Sequence, residues 1–196
     1  LIRGVIFDLD GTLVSSQLDF DAMRSEMGLS LGVPILEAMK ALPAEEAERC
    51  RLILHRHEGE GADRATLLPG VAEFLHELRR REKRLAVVTR NSREITLRTL
   101  ARVQLEFELV VTRCDGPVKP DPWPIANICR QWNLPAREVV MIGDYRFDIE
   151  CGQAAGCRTV LFTEGVLADT HPNDERADYL LMSFEQADGL LRWLDS

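Results

Sequence analysis

At 196 residues, with 45% hydrophobic content and a formal net charge of -8, the chain fits one globular domain, or one domain carrying a substantial insertion. The acidic balance argues against a nucleic-acid or membrane-surface partner, either of which favours a basic face, and no apolar run is long enough to span a bilayer. Five cysteines (Cys50, Cys114, Cys129, Cys151, Cys157) are odd in number and lack CxxC spacing, which argues against zinc and against a disulfide framework. Reduced thiols and a cytoplasmic location are the expectation. No signal-peptide pattern is visible, and a few residues are expected upstream of Leu1, which is not a methionine.

The first element is an apolar run from Leu1 to Phe7, charged only at Arg3 and bounded by a turn signal at Gly11, which reads as a buried strand. Asp8 and Asp10 follow at its C-terminal end, and residues two apart in extended backbone point to the same side. Burying two like charges is unfavourable unless something neutralises them, and hard carboxylate oxygens suit magnesium. A solvated turn that happens to hold two aspartates also accounts for this stretch taken alone.

From Ser15 to Leu68 the signals are helical. Phe20, Met23 and Met27 share a face, with Gly28 as the stop. Pro34 opens a second segment with Ile35, Met39 and Leu42 aligned. Pro43 opens a third, with Glu45 and Glu46 in the first turn and Ala47, Cys50 and Leu54 as its apolar face. That helix is expected to fray at Gly59-Glu60-Gly61, with no strand inside the segment and hinges near Val14–Ser16 and Gly59–Leu68. The reading is a helical insert, residues 15–68, on a core of residues 1–14 and 69–196.

Helix and strand alternate from Pro69 onward. Val71, Phe74, Leu75 and Leu78 have the spacing of an amphipathic helix, closed by Arg79-Arg80-Arg81. Leu85 to Val88, Leu109 to Val111, Val139 to Ile142 and Arg158 to Phe162 read as strands, and Tyr179 to Met182 as a short sixth. Asn91 with Glu94 forms a capping box, Asp121 caps a helix that has Pro122 first and a stripe of Ile125, Ile128, Cys129 and Trp132, and Ser183 with Gln186 caps a closing helix. The pattern predicts an α/β fold with a doubly wound parallel sheet, which binds ligands outside the carboxyl ends of its strands. Asp8, Asp10, Thr89, Arg90, Asn91, Lys119, Asp144 and Asp148 all fall at such ends. A cation site beside an anion site is phosphate chemistry.

Asp8-Leu9-Asp10-Gly11-Thr12-Leu13, Val88-Thr89, Lys119-Pro120-Asp121-Pro122 and Gly143-Asp144-Tyr145-Arg146-Phe147-Asp148 resemble the four ordered motifs of the haloacid dehalogenase (HAD) superfamily. The insert resembles the small helical cap of the phosphoglycolate phosphatase and β-phosphoglucomutase branch. Ser15 stands where the first motif's extension often has aspartate, and Tyr145 replaces a frequent small hydroxyl residue.

The resemblance implies a Mg²⁺-dependent phosphatase acting on a small phosphorylated metabolite, as a monomer or weak homodimer. Asp8 would be the nucleophile that forms an aspartyl-phosphate, and Asp10 the acid and then the base. Asp8, Asp144 and the Asp10 backbone carbonyl would hold the metal, with Asp148 in its shell or orienting Lys119. Thr89, the Arg90 or Asn91 amide, and Lys119 would cradle the phosphoryl oxygens.

A β-phosphoglucomutase-like mutase shares every one of these core residues. A dehalogenase would not be expected to keep Asp10, Asp144 and Asp148 together. A phosphonoacetaldehyde hydrolase-like enzyme lacks the second aspartate and needs a cap lysine, of which only Lys40 is present. A receiver-like module would be shorter and uncapped, and the complete motif set argues against a silent phosphate-binding module. In the insert, Arg24, Arg51, His55 or Arg56 is a candidate for the leaving group. His55 and His57, at i and i+2, do not share a helix face and are not a metal pair.

Overall fold

In the computed structural model, which describes residues 1–165 and 177–196, the apolar run after Arg3 forms β1, Gly4–Phe7, with every residue buried. A short β2 (Val14–Ser15) follows, and three helices come next: α1 (Phe20–Met27), α2 (Ile35–Lys40) and α3 (Ala44–Arg64). The chain returns through β3 (Thr66–Leu67) and then alternates. In order come α4 (Val71–Arg80), β4 (Arg84–Val88), α5 (Arg93–Arg102), β5 (Leu109–Val111) and α6 (Trp123–Trp132). The remainder is β6 (Val139–Gly143), α7 (Arg146–Ala155), β7 (Arg158–Phe162), β8 (Tyr179–Leu181) and α8 (Asp188–Leu194).

The main sheet is parallel throughout, in the order β5-β4-β1-β6-β7-β8. The chain builds outward from β1 to β4 and β5, then returns to fill the other side. The topological switch point therefore lies beside β1. Strand side chains alternate between two apolar layers. Val5 and Phe7 pack with Phe74, Leu75 and Leu78 of α4 and with Leu190 and Leu194 of α8. Ile6 faces the other layer, with Ile125, Ile128 and Trp132 of α6 and Cys151 of α7. Helices on both faces explain why β1 is apolar at every position instead of every second one. No helix among the described residues is long and apolar enough to cross a membrane.

The insert has an apolar cluster of its own, Met23, Met27, Ile35, Met39, Cys50 and Leu54, drawn from all three helices. Phe20, which shares helical spacing with Met23 and Met27, is exposed instead. Two further details differ from the sequence reading. The insert's stems are strands, because β2 and β3 pair antiparallel through Val14–Leu67 and Ser15–Thr66. And α3 does not fray at Gly59–Gly61 but runs unbroken to Arg64. Glycine costs a helix interior about 1 kcal/mol relative to alanine, but here tertiary packing overrides that. An ideal Cβ on Gly61 would lie 2.6 Å from Leu18 Cδ2 and 3.2 Å from the Ser16 carbonyl oxygen, so Gly61 admits close packing where a hinge was expected.

Helix ends follow local chemistry with small shifts. Gly28 ends α1 in the left-handed region, as its position predicts. α5 is capped by Ser92, whose hydroxyl accepts from the Ile95 amide at 3.3 Å, and not by Asn91, whose side chain is engaged elsewhere. Asp121 accepts from the Trp123 amide at 2.8 Å, although α6 starts at Trp123 and Pro122 stays outside it. Ser183 caps a 3₁₀ turn at Phe184–Gln186, accepting from Glu185, and α8 begins after it.

Gly4 lets the central strand pass under the α6 indole. An ideal Cβ there would meet Trp132 Cζ3 at 2.5 Å and Val139 Cγ2 at 3.3 Å, and both neighbours are buried. Gly4→Ala is expected to lower unfolding stability by about 1–3 kcal/mol through overpacking, read as a shifted urea midpoint with an unchanged slope.

Candidate active site

The site begins where β1 ends. The Asp8 amide donates to the Ile142 carbonyl at 2.9 Å, which holds the strand's exit beside β6. Gly11 then turns the chain with φ +80°, and an ideal Cβ there would lie 2.4 Å from Asp144 Oδ2. A side chain at Gly11 would be both strained and in collision with that carboxylate. Gly143, the last residue of β6, is constrained by space alone, since a Cβ would come within 2.2 Å of Asp148 Cγ. The two glycines let Asp144, just after β6, and Asp148, in the first turn of α7, approach the end of β1. Thr12 Oγ1 donates to Asp144 Oδ1 at 3.1 Å and steadies it.

Lys119 arrives from the loop between β5 and α6. Its Nζ donates to Asp8 Oδ1 at 2.7 Å and to Asp148 Oδ1 at 2.6 Å, while its side chain is only 3% exposed. Burial pulls the Lys119 ammonium toward neutrality, but Asp148 and Asp8 outweigh burial and hold it above its ordinary range. Burial pushes the Asp148 carboxyl up to about 6, with Lys119 opposing and Asp8 adding to the rise. Asp144 is raised well above its usual value by burial, then by the charges of Asp8 and Asp148.

Asp8, Asp144 and Asp148 each place one carboxylate oxygen within 4.8 Å of the others. Three hard oxygen donors converging in this way fit a divalent cation, whose charge would relieve the repulsion that raises Asp144.

Asp10 is turned elsewhere. Its Oδ2 accepts from Asn91 Nδ2 at 2.6 Å, and its Oδ1 accepts from the Ser16 hydroxyl. Burial first, and the Asp8 charge second, push the Asp10 carboxyl up to about 7 against the pull of Asn91. Its side chain is outside the converging trio of Asp8, Asp144 and Asp148. Thr89 sits buried at the end of β4, where its Oγ1 accepts from the Asn91 amide at 3.2 Å.

The insert closes one side of this edge with two acids. Glu37 of α2 accepts from Arg90 Nη2 through both oxygens, at 2.8 and 2.6 Å, and Arg90 Nη1 donates to the Lys119 carbonyl. The Arg90 guanidinium also lies over the Phe147 ring at 4.8 Å, so the side chain is engaged by the insert and the strand-end loops, and the part expected of Arg90 toward phosphate is its backbone amide. Glu58 of α3 accepts from Arg113 Nη1 at 2.5 Å and Nη2 at 2.9 Å. Burial outweighs Arg113 and holds the Glu58 carboxyl above the usual range.

Of the leaving-group candidates, Arg24 bonds Asp21 and the Val33 carbonyl, Arg51 bonds Glu48 and Arg56 bonds Glu26, all within the insert. His55 is exposed. Sequence reasoning passed over Ser16, Glu37, Glu58 and Arg113. Glu58 ends the His55-Arg56-His57-Glu58 run, whose histidines and Arg56 were the residues considered, and no spacing along the chain links it to Arg113.

A family model described as haloacid dehalogenase-like hydrolase matches residues 5–162. The chain belongs to that family, and it is an enzyme of the hydrolase class. It is 31% identical to a haloacid dehalogenase-like hydrolase domain-containing protein of Arabidopsis thaliana, over 83% of this chain and 71% of that one. It is 30% identical to a phosphoglycolate phosphatase of Cupriavidus necator, over 95% of this chain and 92% of the relative. The fold matches the crystal structure of a predicted phosphoglycolate phosphatase from Haemophilus somnus with a TM-score of 0.76, at 24% identity and over 98% of both chains.

Lys119 is the cation on which the carboxylates lean. Lys119→Met is expected to cost about 3–5 kcal/mol of stability in metal-free buffer, as when one partner of a buried pair is removed, measured by urea denaturation. Wild-type stability would show that the acids do not depend on the ammonium.

Proposed function

We propose that the protein is a Mg²⁺-dependent phosphatase that hydrolyses a small phosphomonoester through an aspartyl-phosphate on Asp8. The observation that carries this reading is the Asp8 carboxylate at the switch point, bonded to Lys119 and gathered with Asp144 and Asp148 while Asp10 stands apart. The similarity to a phosphoglycolate phosphatase supports a phosphorylated small molecule as substrate.

In this mechanism Asp8 attacks phosphorus, the bond from phosphorus to the ester oxygen breaks, and Asp10 gives its proton to the departing alcohol. Asp10 then takes a proton from water as the water attacks the aspartyl-phosphate, releasing phosphate and restoring Asp8. Lys119 and the Thr89 hydroxyl face the negative oxygens of the transferring group. Magnesium, held by Asp8, Asp144 and the Asp10 carbonyl with Asp148 beside them, would supply positive charge that shields the nucleophile from the phosphoryl group. Residues 15–68, with their own apolar cluster, are the lid of this site in the same reading and limit the access of water. Five free thiols are consistent with a cytoplasmic enzyme.

The test is phosphate release from a panel of phosphomonoesters that includes phosphoglycolate, sugar phosphates and nucleotides. Asp8→Asn is expected to abolish turnover while the fold is retained, read as an unchanged circular dichroism spectrum, and Asp10→Asn to lower kcat by about 10²–10⁴-fold. Substantial turnover by clean Asp8→Asn protein would remove Asp8 as nucleophile.

Removing the metal gives a second prediction. Chelation should stop turnover, and magnesium at 100 times its dissociation constant should stabilise the fold by about 2.7 kcal/mol. Asp144→Asn should lose most of that stabilisation. Full activity after exhaustive chelation contradicts the metal assignment.

A further inference from the structure

Asp10 is held by residues outside the four motifs, and the bonds lead back to the insert. Asn91 Nδ2 grips Asp10 Oδ2 at 2.6 Å, and Asn91 is only 9% exposed. Asn91 sits in a turn whose carbonyls are both claimed by one residue. The Arg113 amide donates to the Asn91 carbonyl at 3.0 Å, and Arg113 Nη1 donates to the Arg90 carbonyl at 3.0 Å. The same guanidinium is clamped through both nitrogens by Glu58, itself 5% exposed, from the last third of α3. The other Asp10 oxygen meets Ser16, the residue directly after β2, on the opposite stem of the insert.

A buried ion pair is poor evidence for stability, because desolvation offsets most of its attraction and an apolar pair of similar volume serves as well. What an apolar pair could not supply is a donor directed at the Arg90 carbonyl. We propose that Asn91, Arg113 and Glu58 are positioning residues that aim the Asp10 carboxyl, so that proton delivery to the leaving oxygen depends on α3 being seated against α5 and the turn that follows β5. The inference rests on the reading of Asp10 as the acid. Asn91 fixes the rotation of the carboxyl, Arg113 fixes the turn that carries Asn91, and Glu58 fixes the guanidinium. Closure of the insert and readiness of the acid thus become one event.

The experiment uses leaving groups that differ in their need for a proton. Nitrophenolate departs unprotonated, whereas an alkoxide does not, so kcat/KM is measured on the full chain with p-nitrophenyl phosphate and with glycerol 3-phosphate. Asn91→Ala is expected to lower kcat/KM for glycerol 3-phosphate by about 10²-fold, the low end of acid catalysis, while p-nitrophenyl phosphate falls several-fold at most. Glu58→Gln should show the same selectivity with a smaller loss.

In an Asp10→Asn background, Asn91→Ala should add nothing, because residues acting as one unit are not additive. Asn91→Ala removes no buried charge, so it decides the matter alone should Glu58→Gln fail to fold. Equal losses on both esters, or an undiminished Asn91→Ala effect without Asp10, overturn the positioning role. If Asp10→Asn itself fails to discriminate between the esters, the assignment of the acid falls and this inference falls with it. A selective Asp10→Asn beside an unselective Asn91→Ala refutes the inference alone.

Discussion

The ammonium of Lys119, buried between Asp8 and Asp148, is the contact on which the arrangement of the sheet edge turns. A lysine with a side chain 3% exposed would ordinarily lose its proton, but two carboxylates at 2.7 and 2.6 Å keep it charged. The dependence runs in both directions. Without that charge Asp8, Asp144 and Asp148 would converge with no cation among them, where burial first, and then the charges of Asp8 and Asp148, already push Asp144 upward. The three contributors come from the end of β1, the loop before α6 and the start of α7. One interaction therefore ties together segments more than a hundred residues apart in sequence.

Close approach is the second requirement, and it is met by absent side chains. Gly11 and Gly143 leave the space that Asp144 and Asp148 occupy. The apolar layers of the sheet supply the rigidity against which these charges are held. β1 is buried on both faces, so the residues that follow it are aimed by a strand with no freedom to tilt.

The insert meets the core through charges as well as apolar contact. Glu37 on Arg90 and Glu58 on Arg113 place acids from two insert helices on arginines that follow two core strands. Both arginines also bond main-chain carbonyls of the site, Arg90 that of Lys119 and Arg113 that of Arg90. The strand-end loops and the insert are thereby mechanically connected.

Much of this was legible along the chain because it is local. Strand and helix periodicity, the Gly28 stop, the doubly wound alternation and the acids and lysine at strand ends depend on neighbours a few residues away, and they appear in the structure where the pattern put them, with Phe20 of the first helical stripe turned out to solvent. What local spacing could not carry was pairing at a distance. The β2–β3 stem is too short to show a period of its own, and Gly61 reads as a helix breaker until Leu18 is seen against it. Asn91 reads as a helix cap until Asp10 is seen to claim it, whereupon Ser92 takes over the capping. Glu58 and Arg113 look like two ordinary surface charges until the fold buries one against the other. The sequence by itself determined which groups stand at the sheet's edge, because a strand's end is a local property. Only the tertiary structure decided which groups face each other there, because burial and three-dimensional proximity, not spacing along the chain, set the partners of a charge.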